Sequence, residues 1–192
     1  MKKASDNSFI TSAVTASDGT FSLNYDPVAG QEVYLNASTS NYVSSNSEIG
    51  IPTSSLSDIE ISVVDAADAV SLANLITGHT GTTWTSDTFY TGKSWVVLDV
   101  YDTNWYFISG VTFTPNPAAT LLKYNDGSDN FSSTTGPTVG DPSGSNMYGP
   151  SAAGYYSAGN SFTVSAAKSG SATQSTKHPL VPGEIAYPYF IF

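Results

Sequence analysis

Residues 94 to 114 read SWVVLDVYDTNWYFISGVTFT, and their pattern decides the fold class. SWVVLDV at 94 to 100 and WYFISGVTFT at 105 to 114 are the most hydrophobic strand candidates in the chain, rich in β-branched and aromatic residues. The Asp/Asn stretch at 102 to 104 between them is a turn signal. Alternation along 95 to 101 places Trp95, Val97, Asp99 and Tyr101 on one face and Val96, Leu98 and Val100 on the other. The two strands are expected to build a core together.

Outward from this segment the same grammar repeats. Towards the amino terminus, FITSAV at 9 to 14, TFSLNY at 20 to 25, EVYLNAS at 32 to 38, EIGI at 48 to 51 and DIEISVV at 58 to 64 read as short strands. Asp18-Gly19 and Pro27 to Gly30 supply reversals. Towards the carboxyl terminus, SFTVSAA at 161 to 167 and EIAYPYFIF at 184 to 192 are strands, and Pro188 marks the last as an edge or a bulge. One segment has helical character: DAADAVSLANLITG, 65 to 78, with Asp65 as cap, Val70, Leu72, Ala73 and Ile76 as apolar side and Gly78 as terminator. With 16 Gly and 10 Pro, the chain reads as all-β. The expected architecture is two small antiparallel β-sandwich domains, Ig-like or prealbumin-like, joined by one short helix. Residues 1 to 64 form the first, short of its first strands, 65 to 78 the linker helix, and 79 to 192 the second, with a long loop at 125 to 154.

Charge narrows the partners. Sixteen acidic residues stand against six basic ones, a net charge of -10, and all six are lysine. With no arginine fork for phosphate or guanine, nucleic acid is not an expected partner. No apolar run approaches the roughly 20 residues of a membrane helix. There is no cysteine, so disulfides and thiolate chemistry are excluded by counting. MKK opens the chain like a secretory n-region, but ASDNS follows where an apolar segment would stand, so an export signal is expected outside this chain.

The residues DGTFSL at 18 to 23, Gly30, VYLNAS at 33 to 38 and Asn41-Tyr42 resemble the carboxypeptidase regulatory-like domain, a transthyretin-like (prealbumin-like) sandwich. VVLDVYDTN at 96 to 104, GVTFTP at 110 to 115, Lys168-Ser169-Gly170 and VPGEI at 181 to 185 resemble a second, divergent copy. The resemblance implies a tandem of non-catalytic sandwiches and carries over no peptidase activity. In that family two further strands precede the DGTF hairpin. Their absence motivates an edge completed by strand addition from another subunit.

No catalytic constellation is apparent. His79 and His178 lie far apart, neither in a zinc-binding H-x-x-E or H-E-x-x-H arrangement, and each reads as a surface or turn residue. Asp126 and Asp129, in NDGSDN at 125 to 130, are candidate Ca2+ ligands, although the spacing is not that of an EF-hand; an Asx-rich turn is the plainer reading. The aromatic series Trp84, Phe89, Tyr90, Trp95, Tyr101, Trp105, Tyr106 and Phe107 serves either as core or as a surface on which sugar rings stack. Trp95, Tyr101 and Trp105 are the candidate platform. The candidate assembly strands carry Phe9, Ile10 and Val14 at one end and Ile185, Tyr187, Tyr189, Phe190 and Phe192 at the other. The expected function is that of a non-enzymatic extracellular or cell-surface structural or adhesive protein, a subunit of a filament or surface assembly using strand complementation, with protein partners. The alternative is a carbohydrate-binding accessory module of a secreted enzyme, with polysaccharide as partner.

Overall fold

The computed structural model describes residues 1–53, 59–126, 130–139 and 151–192. Its strands are β1 (Lys2–Lys3), β2 (Val33–Tyr34), β3 (Asn36–Ala37), β4 (Tyr42–Val43), β5 (Ser45–Asn46) and β6 (Val64–Asp65) before the helices α1 (Ala66–Thr77) and α2 (Thr88–Thr91). After them come β7 (Ser94–Tyr101), β8 (Val111–Asn116), β9 (Leu121–Asn125), β10 (Phe131–Ser133), β11 (Ala152–Tyr156), β12 (Ser161–Lys168), β13 (Gln174–Pro179), β14 (Ile185–Ala186) and β15 (Tyr189–Ile191). The fold is all-β, a sandwich with α1, a short helix of about three turns, and the single turn of α2.

Among the described residues the larger sheet has the order β10-β9-β11-β7-β14-β5-β3, with β15 also on β7, and the smaller has the order β13-β12-β8. Pairing is antiparallel except that β14 runs parallel to both β5 and β7, and β15 parallel to β7. Ile185 faces Trp95 and Tyr189 faces Asp99, so β14 and β15 keep one register across Pro188. The proline interrupts the ladder, as it must without an N–H, but its carbonyl accepts from Asp99 N at 3.1 Å. The carboxyl-terminal run is therefore not a free edge over its first half: β14 lies between β5 and β7.

β7 has neighbours on both sides and cover on both faces. Val96, Leu98 and Val100 pack with Val111, Phe113, Phe162 and Val164 between the two sheets, while Trp95 and Val97 pack with Ala69, Val70, Ala73 and Ile76 of α1. The helix matches its sequence signals: Asp65 Oδ1 accepts from Ala67 N at 2.8 Å, and Gly78, at φ 74°, ends it. Residues 33 to 50 are tied to the carboxyl-terminal part of the chain through β5 on β14 and through Ile49 N, which donates to Lys177 O at 2.7 Å. Gly154, flanked by β7 and β9, has no room for a side chain, because a Cβ there would overlap the backbone carbonyl of Leu121.

Several expected strands differ. The turn at Asp18-Gly19 forms, with Ala16 N donating to Thr20 O at 2.8 Å, but residues 20 to 25 make no ladder. Of FITSAV, Phe9 alone makes a bridge, to Lys2. Residues 105 to 110 are not strand; the chain crosses from one sheet to the other there, so β7 and β8 face each other across the core instead of pairing. The stretch 125 to 154, expected as loop, includes β10 and the start of β11, and parts of it lie outside the described residues.

Leu98 is 1% exposed in the inter-sheet core. Leu98→Ala is expected to cost about 2–5 kcal/mol, the range for a truncated buried leucine, seen as a lower midpoint at unchanged slope in urea unfolding.

Candidate functional site

α1 covers the Trp95 and Val97 end of β7, and beyond the helix the same face emerges at Asp99 and Tyr101. Tyr189 stands opposite Asp99 and Ile191 opposite Tyr101 on β15, so these side chains share that face. The segment after β7 folds back over it. Asp102 Oδ1 accepts from Asn104 N at 2.8 Å and from Tyr106 N at 3.0 Å, while Asp102 N donates to Tyr106 O at 2.9 Å. This tight Asx-type turn sets Trp105 at φ 65°, a left-handed conformation rare for a bulky residue and costing about 1 kcal/mol or more. Its indole is held out beside the sheet face.

The result is a contiguous aromatic patch. Ring centroids lie 4.7 Å apart for Tyr101 and Phe107, 5.5 Å for Tyr101 and Trp105, and 5.8 Å for Trp105 and Tyr189. Trp105 and Tyr189 are each 56% exposed, with the neighbouring Tyr106 exposed as well. Beneath them Asp99 accepts from Ser151 N at 3.2 Å and from the Tyr101 hydroxyl at 3.2 Å. Burial outweighs these bonds and raises its carboxyl to about 7. Burial also raises Tyr101 and Tyr187, and the Asp99 charge adds to both.

The three platform residues therefore part company. Tyr101 and Trp105 meet in the patch, whereas Trp95 is buried in the second core, its indole N–H donating to Tyr90 O at 2.9 Å with Trp84 and Tyr155 against it. Trp95 serves packing because α1 and α2 cover its end of β7. Among the assembly candidates, Ile185 and Phe190 are buried, Tyr187, Phe192 and Ile10 half-buried, and Phe9, Val14 and Tyr189 exposed. Buried, ladder-paired Ile185 and Phe190 are committed within their own chain. Asp99 follows from the alternation that places it on the Tyr101 face, whereas Tyr189 and Phe107 join the patch without a sequence signal specific to it, since the parallel β15–β7 register and the crossing at 102 to 110 bring them there.

The remaining chemical groups are accounted for locally. His79 Nε2 lies 2.7 Å from Asp87 Oδ2, its ring stacked on Phe89 at 4.1 Å, and that hydrogen bond holds the Asp87 carboxyl below its usual range. Asp87 also caps α2 by accepting from Phe89 N. His178 is buried against Phe162, and burial lowers its imidazole to about 4. Asp126 accepts from the Ser132 hydroxyl at 3.0 Å, and Asp129 lies outside the described residues. Among the described residues no three His, Asp or Glu side chains gather as a metal site, and no helix is long and apolar enough to cross a membrane.

No family model matches the chain, and neither a curated protein nor a solved structure is significantly similar to it. The likeness to carboxypeptidase regulatory-like domains rests on the quoted residues alone.

The two perturbed groups act oppositely on stability. Asp99, raised from 3.8 to about 7, keeps its proton in the folded state where the unfolded chain has lost it, so its contribution falls as pH rises from about 4 to about 7. His178, lowered from 6.5 to about 4, must stay neutral when folded, so its contribution falls as pH drops through the same range, by up to about 3 kcal/mol. Urea unfolding across pH 4 to 8 is expected to show Asp99→Asn removing the first slope and His178→Phe the second.

Proposed function

We propose that this is a non-enzymatic extracellular or cell-surface adhesive protein that binds carbohydrate on the face formed by Tyr101, Trp105 and Tyr189. The observation that carries this reading is the exposed aromatic patch, with an indole held out by a strained backbone at Trp105. Flat rings with accessible faces stack on the C–H faces of sugars, and such contact needs no charge and no deep pocket. The Tyr101 hydroxyl, oriented by its bond to the Asp99 carboxyl beneath it, supplies a polar group beside the rings for sugar hydroxyls. A loop strained for packing alone would have no reason to leave its largest side chain 56% exposed.

Adhesion by strand donation from 184 to 192 has less support, because those residues are already paired on β7 and β5. The sandwich instead acts as a rigid holder. Its two-sided core fixes β7 and β15, and these fix the spacing of the rings.

The test is affinity electrophoresis and titration calorimetry against a panel of soluble polysaccharides. Trp105→Ala and Tyr189→Ala are each expected to weaken binding by about tenfold or more, equivalent to about 1.4 kcal/mol. Both residues are half-exposed, so unfolding midpoints should hardly move. Binding unchanged in both variants, or no binding across the panel, overturns the proposal.

A further inference from the structure

A second polar group lies where the amino-terminal strand meets β3 and the residue before β14. Glu184, immediately before β14, has a half-buried carboxylate on a fixed backbone: its N donates to Val181 O at 3.1 Å and its O accepts from Trp95 N at 3.0 Å. Its Oε1 takes Lys2 Nζ at 3.5 Å, and its Oε2 takes Asn36 Nδ2 at 3.1 Å. One carboxylate thus brackets an amine and a carboxamide. Asn36 is further oriented through Nδ2 by Asn46 Oδ1 at 3.0 Å and Ser45 O at 3.3 Å. The other bonded lysine side chains lack this arrangement among the described residues: Lys177 pairs with Glu32, and Lys93 donates to Phe89 O and lies over the Phe89 ring.

These three groups are what amide exchange between side chains requires: a nucleophilic amine, an acyl carbon carrying a leaving nitrogen, and a proton carrier that touches both. We propose that Lys2, Asn36 and Glu184 form a self-crosslinking site that joins Lys2 to Asn36 by an amide bond. Glu184 takes one proton from the Lys2 ammonium, and the freed Nζ attacks Asn36 Cγ. The carboxyl passes that proton to Nδ2 and accepts the second proton that Nζ sheds. The Cγ–Nδ2 bond breaks, ammonia leaves, and Glu184 releases its remaining proton to solvent. No oxidant or cofactor is needed.

The link closes residues 2 to 36 into a loop in a chain that has no cysteine to do so. It is placed where the ladder is short: β1 and β2 pair over two residues each, in a sheet of their own. The tie carries β1 directly onto β3, the outer strand of the larger sheet.

Intact-mass spectrometry of the denatured full chain tests this without any partner. The wild-type protein is expected to be lighter than its sequence by one ammonia, with a proteolytic peptide containing both residue 2 and residue 36. Lys2→Arg and Glu184→Gln should each restore the sequence mass, and Asn36→Asp, which would lose water instead, changes the deficit accordingly. A wild-type chain at its full sequence mass overturns the proposal. So does an ammonia deficit that persists in Lys2→Arg, which would mark an asparagine succinimide. Because the wild-type mass together with the presence or absence of the peptide joining residues 2 and 36 decides the matter, a variant that misfolds leaves the result readable.

Discussion

The structure depends on the burial of β7 on both of its faces. A strand whose alternate residues all leave water needs a layer on each side, and here the smaller sheet covers Val96, Leu98 and Val100 while α1 and α2 cover Trp95 and Val97. A strand so placed must also find partners for the hydrogen-bonding groups on both its edges. β11 satisfies one side in antiparallel register, and β14 followed by β15 satisfies the other in parallel register. The carboxyl terminus is thereby enlisted as a structural element, and β5 and β3 extend the same sheet through β14.

The aromatic patch is the place where this two-sided cover ends. α1 covers the start of β7 and stops short of Tyr101, so the face that is core at Trp95 becomes surface at Tyr101 and Tyr189. Asp99 stands at the transition. Far enough under the rings to lose solvation, its carboxyl resists ionisation, yet it still orders the Tyr101 hydroxyl that borders the exposed rings. The stack around His79, Phe89, Tyr90, Trp84 and Trp95 is the interior counterpart, aromatic contact used to seal the helix side of the sheet.

The amino-terminal segment is attached on different terms. It leaves Phe9 and Val14 exposed and adds little apolar burial beyond Ala4, which packs with Tyr34 and Ile49. Its attachment is polar: Ala4 N on Glu32 O, the Tyr34 hydroxyl on Asn7 Oδ1 and Lys2 on Glu184. Polar contacts at a surface are individually weak, and the amide proposed between Lys2 and Asn36 would make this attachment permanent.

Local chemistry in the sequence determined what depends on near neighbours. The period-2 alternation at 95 to 101, the Asp65 and Gly78 caps of α1 and the reversals at Asp18-Gly19 and Asp102 follow from side-chain geometry and backbone freedom over a few residues, and they were readable as such. The strands expected at 9 to 14 and 20 to 25 carried the same alternation without forming, because a strand is completed by a partner that alternation does not name. Only the tertiary structure decided which end of β7 is covered, that the last strand runs parallel to it, and that Lys2, Asn36 and Glu184 meet. Those outcomes arise from pairings between segments far apart in sequence, whose register is set by the fit of the whole core and is written in no single stretch of chain.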